Sequence, residues 1–215
     1  MPHPFAFPKR DVASFLPPRW QDDIGAAAAG ADFRAFPRTP VLSREAADVT
    51  HIQRGRVHAA TVRQRLPWLY RLYRGVFREL AAEAWGEPID TARDDRYGVV
   101  LNVQRGRAMR FECHVDSNPV TGLLFFTGHP GGGGELVVGH DPPAIGIETL
   151  ERDCTAVRPE AGQLIFFDGK SYPHYVRPLV AESDVRIAAV MNFYTEGRPE
   201  STRPAELNRH LFGDT

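Results

Sequence analysis

The sequence predicts a mainly β protein braced by helices, of the α+β class, built around an antiparallel sandwich or jelly roll of about eight strands. Three observations carry this. After Asp95 the apolar pattern changes from helical to alternating, in short β-branched and aromatic runs bounded by turn residues. The runs are evenly spaced with no long helical pattern between them, which favours antiparallel connections over a parallel sheet. Before Asp95 the dominant spacing is the three-and-four recurrence of amphipathic helices.

The first helix is expected after Ser14, with Pro17 and Pro18 in its tolerant first turn, and should run to about Gly25. From Ala26 to Pro40 the chain carries Gly and Pro breakers without a sustained period, so a surface loop or lid is expected. From His58 to Trp85 apolar residues recur at Val62, Leu66, Leu69, Tyr73, Val76, Phe77 and Leu80, an amphipathic helix that Pro67 should kink or restart and Gly86 with Pro88 should stop. Eight strands are then expected at 97–103, 109–115, 121–127, 135–139, 154–158, 163–167, 174–180 and 185–194. Without an internal repeat or a low-complexity linker, residues 1–215 read as one domain. It comprises a mostly helical support region over 1–95, the β core over 96–195 and a C-terminal tail over 196–215.

Composition narrows the function. With 42% hydrophobic and 10% aromatic residues the chain is not of the disordered class. Lys+Arg 26 against Asp+Glu 27 gives a net charge of -1, so no nucleic-acid partner is expected. The longest apolar runs, LLFF and IAAVM, are too short for a membrane span, and the start MPHPFAFPKRD lacks the apolar segment of a secretion signal. A soluble cytoplasmic protein is expected, with Cys113 and Cys154 as free thiols.

The chemistry concentrates in His114-Val115-Asp116, His174 and Arg186. On a strand, residues two apart share a face, so His114 and Asp116 present an imidazole and a carboxylate to one point. Two histidines and one carboxylate on one face of an octahedron leave the opposite face open, the arrangement that holds non-haem Fe(II). His174, opening a later strand, is the candidate third ligand. Chance alone supplies about half of one His-x-Asp match at this composition, so the motif needs support. Arg186 provides it. It shares a strand face with Ala188, Val190 and Asn192, among apolar neighbours, and a guanidinium there needs either an anion or an edge position open to water.

Taken together these residues resemble the iron- and 2-oxoglutarate-dependent oxygenases, most closely their prolyl-4-hydroxylase-like branch. The resemblance rests on the order His114-Val115-Asp116, VTGLLFF, Gly133-Gly134-Glu135-Leu136, Pro159 to Phe167 as Pro-x-x-Gly-x-Leu-x-x-Phe, Pro173-His174 and Val185-Arg186-Ile187, and covers roughly residues 97–195. It implies a double-stranded β-helix with Fe(II) on His114, Asp116 and His174, and 2-oxoglutarate as co-substrate with its far carboxylate on Arg186. It further implies O2 as oxidant, ascorbate as reductant, and release of succinate and CO2. Asp116, where halogenating relatives have a small residue, implies hydroxylation. Many relatives carry a tyrosine before the His-x-Asp strand and another on the next strand that hydrogen-bonds 2-oxoglutarate. Those stretches here read Leu101-Asn102-Val103 and Leu124-Phe125-Phe126, so that role passes to Asn102, ahead of Thr127 and Asn192.

The remaining features have plainer readings. Gly131 to Gly134 lack the Lys-Ser/Thr of a phosphate loop and are expected as a flexible hairpin connection. His129 and His140 are expected in solvent, unless one lines the mouth of the site, and Cys113 as a buried thiol facing away from His114. Glu112 should either pair with a neighbouring arginine or bind a substrate amine. Arg105, Arg107 and Arg110 should be solvated, unless one holds a substrate carboxylate. The expected substrate is a small molecule, an amino acid or a natural-product intermediate. A prolyl peptide and a non-enzymatic jelly roll that binds a metal or ligand are the alternatives.

Overall fold

The computed structural model describes Phe7 and residues 9–213, so the expectation about a secretion signal at the chain start falls mainly outside them. The elements are β1 (Arg10–Asp11), α1 (Trp20–Ala29), β2 (Asp32–Pro37), β3 (His51–Val57), α2 (Ala59–Arg65), α3 (Pro67–Arg74), α4 (Val76–Trp85), β4 (Ile89–Thr91), β5 (Val99–Arg105), β6 (Phe111–His114), β7 (Val120–Phe125), β8 (Leu136–Gly139), α5 (Ile147–Leu150), β9 (Cys154–Val157), β10 (Gln163–Phe167), β11 (His174–Val176), β12 (Val185–Thr195) and α6 (Glu206–Phe212).

All strand pairings are antiparallel. A larger sheet runs β1-β10-β7-β12-β5-β3-β2, with β4 added on β12, and a smaller one runs β6-β11-β8-β9. The eight strands expected from the alternating pattern are β5 to β12, each at or within a few residues of its expected place. The sheets close on one another through Phe111 and Val176 from the smaller sheet and Leu123, Phe125, Ile165 and Ala188 from the larger. This is a jelly-roll sandwich.

The outer face of the larger sheet is covered by helices. Val62, Leu66, Leu69, Tyr73, Phe77 and Ala81 repeat at three and four, and all are fully buried against Leu101, Val103, Ala189, Met191 and Phe193. Burial of each large side chain here contributes about 1.5–3 kcal/mol. Tyr73 also ties the layers through its hydroxyl, which donates to the Asn192 carbonyl and accepts from Ala92 N.

Three expectations are corrected. The first helix starts at Trp20, not after Ser14, and continues through Ala26–Ala29 to Gly30, because four alanines extend a helix that one glycine at position 25 does not stop. Residues 32–37, expected as loop, form β2, which pairs with β3, which in turn adds to β5. The helix expected over 58–85 restarts at Pro67, one of the two outcomes expected there, but is broken again at Gly75, giving three helices, and it stops as expected at Gly86 in the left-handed region (φ 77°).

Candidate metal centre

His114 ends β6 and His174 opens β11, and the two are direct register partners across the smaller sheet. This brings together residues 60 positions apart in sequence. Asp116 follows β6, and its backbone N–H donates to the Gly169 carbonyl at 2.7 Å. One ligand atom from each of His114, Asp116 and His174 lies within 4.8 Å of the others. The imidazole Nε2 atoms stand 3.3 and 3.5 Å from the two Asp116 carboxylate oxygens.

Tautomer and rotamer are fixed from behind. Nδ1 of His114 faces the Glu112 carbonyl at 2.7 Å and Nδ1 of His174 the Tyr172 carbonyl at 3.1 Å. Each Nδ1 therefore carries the proton and donates, leaving the Nε2 lone pair toward the centre. The Asp116 carboxylate accepts from the Thr121 hydroxyl, which itself accepts from Asn118 Nδ2 at 2.9 Å. Gly169 completes the cradle, since a Cβ there would stand 2.2 Å from Asp116 Oδ2.

The three groups shift one another's proton affinities. Burial alone would raise the Asp116 carboxyl, but the close approach of the His174 and His114 imidazoles and the hydrogen bond from the Thr121 hydroxyl hold it well below the usual carboxylate range. Burial brings His174 down to about 4, with Asp116 opposing and His114 adding to the fall. Burial also pulls His114 down, yet its contact with Asp116 raises it overall. Two imidazoles and a carboxylate on one side of an open space form a donor set suited to a divalent non-haem metal.

The triad and Arg186 line one small cavity of about 50 Å³, whose walls include Asn102, Leu123, Phe167 and Val190. Arg186 is 0% exposed and lies on β12, an interior strand of its sheet, so the edge-strand reading does not apply. Its Nε donates to the Gly134 carbonyl at 2.8 Å, and its side chain packs over Phe125. The two terminal nitrogens have no partner among the described residues. Burial pushes this guanidinium down to about 9, with the charge of Glu135 only partly opposing. An unsatisfied, fully buried guanidinium costs several kcal/mol unless an anion meets it.

Asn102 faces the same cavity. Asn192 lines the outer cleft in front of the triad. The Thr127 hydroxyl accepts from Ile187 N and faces His129.

Other expectations change. Glu112 pairs with no arginine: it is 1% exposed, and its two oxygens accept from Thr39 N and Thr39 Oγ1, each at 2.7 Å. Of the hairpin arginines, Arg110 holds Glu45 with two parallel hydrogen bonds, Arg107 donates to the Val180 carbonyl and Arg105 stacks on Phe33. His129 is buried at 6% exposure, and His140 is bracketed by Asp153 and Thr155. Cys113 is a fully buried free thiol, raised by burial to about 12. The glycine run is a fitted support: Gly133 and Gly134 have φ of 87° and 73°, and a Cβ on Gly134 would press on Arg186 Cδ at 2.9 Å.

Sequence reasoning missed Thr121, Asn118 and Gly169 around Asp116. It also missed Arg54 and Arg56, which line the outer cleft. The available signal for that pair was the spacing of two between the arginines, which puts both on one face of a strand.

No family model matches the chain, and no curated protein matches it by sequence. Solved structures do match. A 2OG-Fe(II) oxygenase family oxidoreductase from Burkholderia pseudomallei aligns over 92% of this chain and 89% of its own, at 15% identity and TM-score 0.59. The non-heme alpha ketoglutarate dependent epimerase SnoN from nogalamycin biosynthesis aligns over 99% and 87%, at 12% identity and TM-score 0.64. A prolyl hydroxylase from Trichoplax adhaerens, in complex with a hypoxia inducible factor oxygen degradation domain peptide fragment, aligns over 89% and 84%, at 15% identity and TM-score 0.58. The chain has the double-stranded β-helix fold of these structures.

Proposed function

We propose that this protein is an Fe(II)- and 2-oxoglutarate-dependent dioxygenase that hydroxylates, or otherwise oxidises, an unactivated C–H bond of a small molecule. The observation that carries the reading is one cavity holding both a His-Asp-His donor set and a buried guanidinium with two unused donor nitrogens. Fold alone does not assign chemistry, so the reading rests on these side chains.

His114 Nε2, His174 Nε2 and an Asp116 oxygen are the ligands for Fe(II). Arg186 is the partner for the far carboxylate of 2-oxoglutarate, offering two parallel donors as a carboxylate needs. Asn102 is the further polar contact to the co-substrate. When bound, Fe(II) with 2-oxoglutarate and O2 supplies oxidative decarboxylation to succinate and CO2, coupled to oxidation of the substrate C–H bond. Asn118 and Thr121 keep the Asp116 carboxylate oriented, while Leu123, Phe167 and Val190 make the cavity wall apolar and keep bulk water out.

A small substrate, an amino acid or a natural-product intermediate, is favoured by α6. Its Leu207 and Leu211 wall the cleft in front of the triad and narrow the approach to it.

Anaerobic titration with Fe(II) and then 2-oxoglutarate tests the reading. The expected result is a weak visible charge-transfer band that requires both additions and is absent in Arg186→Ala. Metal binding without that band would leave a jelly-roll binding protein. Succinate release that depends on prolyl peptides and on no free amino acid would move the substrate to a protein.

A further inference from the structure

Two further arginines with unpartnered nitrogen atoms line the outer cleft. Arg54 and Arg56 are two apart on β3 and so share a face, and Arg56 is the register partner of Asn102 on β5. Both line the cleft that His114 and Asp116 also line, with Tyr97, Asn192 and α6 around it. The Nε atoms of both are buried without a hydrogen-bond partner, and neither arginine forms an ion pair among the described residues. The guanidinium of Arg54 is held in place by stacking, 4.8 Å over the Phe36 ring and 6.0 Å from that of Phe111. Burial lowers both groups, Arg56 to about 10. Glu112 is the acid whose charge reaches Arg54, but Thr39 occupies both of its oxygens, and no acid offsets Arg56.

The contrast with the other arginines is informative. Arg110, Arg177 and Arg203 each have a carboxylate within hydrogen-bond distance. Two neighbouring, half-buried guanidiniums left without one, in a cleft that reaches the metal ligands, repel each other, and their Nε atoms lose hydration without a hydrogen bond in return. An oxyanion bridging them would offset both costs, because each guanidinium presents a planar fork of donors to it.

We propose that Arg54 and Arg56 form an anchor for an acidic group on the primary substrate, a carboxylate or a phosphate, holding the rest of that molecule toward the triad. This deepens the dioxygenase reading and rests on it for the word substrate. The anchor is separate from Arg186, which lies on β12 with β5 between the two strands. The substrate class that follows is an organic acid or phosphate monoester, not a neutral molecule.

The test is a binding measurement that needs neither iron nor turnover. Calorimetric titration of the full chain compares benzoate with benzamide, N-acetylphenylalanine with its amide, and phenyl phosphate with benzyl alcohol. At least one anion should bind tenfold or more tightly than its neutral counterpart. That preference should fall to near unity in Arg54→Gln and Arg56→Gln and survive in Arg186→Gln. Preference in the first two pairs assigns a carboxylate, and in the third a phosphate. No preference in any wild-type pair overturns the proposal, as does a preference lost in Arg186→Gln and kept in the β3 variants. If a β3 variant fails to fold, Arg56→Lys, which keeps the charge and loses the fork, should retain only part of the preference. Because no metal is present, failure of the dioxygenase reading would leave these outcomes unchanged.

Discussion

The two faces of the larger sheet are built to opposite rules. On β12, Ile187, Ala189, Met191 and Phe193 point into the helix layer and are at most 8% exposed among apolar partners. The alternate residues Arg186, Ala188, Val190 and Asn192 point toward the other sheet, and two of these four are polar. The same holds next door: Leu101 and Val103 of β5 face the helices, while Asn102 faces the cavity. One face spends its positions on packing, and the other gives up packing to place nitrogen and oxygen atoms around an enclosed space. Stability should therefore reside on the helix face and ligand affinity on the cavity face, and substitutions can separate them.

The largest effect is expected from Phe193→Ala. Phe193 is fully buried against Tyr73 and Phe166, with ring centroids at 5.1 and 5.9 Å. The cavity left behind should cost about 3–5 kcal/mol in chemical denaturation, with metal affinity of the folded fraction unchanged. A matching loss of metal affinity would show that the faces are not independent. His174→Ala should do the reverse. Removing one of three ligands should weaken Fe(II) binding by about 100-fold or more, read by titration, while the chain remains folded. Unchanged iron binding would refute the ligand assignment.

Arg186→Met separates the two properties within a single residue. Replacing an unpaired buried guanidinium by an apolar chain should leave stability unchanged or raise it by about 1–4 kcal/mol, while the concentration of 2-oxoglutarate required rises sharply. A destabilised variant with an unchanged 2-oxoglutarate requirement would mean that the hydrogen bond to Gly134 is what Arg186 is for. Gly169→Ala is the subtler probe. Its new Cβ would collide with Asp116 Oδ2 and crowd the Thr121 hydroxyl, so metal affinity should fall roughly 10–100-fold while the chain remains folded.

The same division explains what could be read in advance. β5 to β12 were legible as short β-branched and aromatic runs bounded by turn residues, and the helix layer because its spacing of three and four is regular over 62–81. The pair β2 and β3 was not, and β3 shows why. Its cleft-facing positions are Arg54 and Arg56, so a strand that belongs to the sheet lacks the apolar alternation that identifies one. His114, Asp116, His174 and Arg186 could be named from residue type and order. Thr121, Asn118 and Gly169 could not, because their role comes from a single close approach in space to Asp116 and leaves no pattern along the chain. Gly133 and Gly134 were visible as glycines, but that they support Arg186 follows only from the fold.

The smallest expected effect lies on the outer side of the smaller sheet, where an ion pair is fully satisfied. Arg177 Nε and NH2 donate to the two oxygens of Glu151 at 2.9 and 2.5 Å, and the Tyr175 hydroxyl donates to the same carboxylate. The hydrogen bond from Arg177 is the main cause that holds Glu151 below its ordinary range, against a smaller rise from burial. A carboxyl lowered in the fold binds fewer protons than in the unfolded chain. Its stabilisation is therefore present above the ordinary glutamate pKa and is lost as pH falls through the folded one. Glu151 and Arg177 are each about a third exposed, so solvent screening keeps the contribution below about 1 kcal/mol. Glu151→Gln should accordingly lower the denaturation midpoint slightly at pH 7 and converge with the wild type in strong acid, with metal binding unaffected at either pH. A constant offset at all pH values would assign the loss to packing. A change in metal binding would mean that the satisfied pair, and not only the unsatisfied arginines of the cavity face, is coupled to the site through Tyr175 and its neighbour His174.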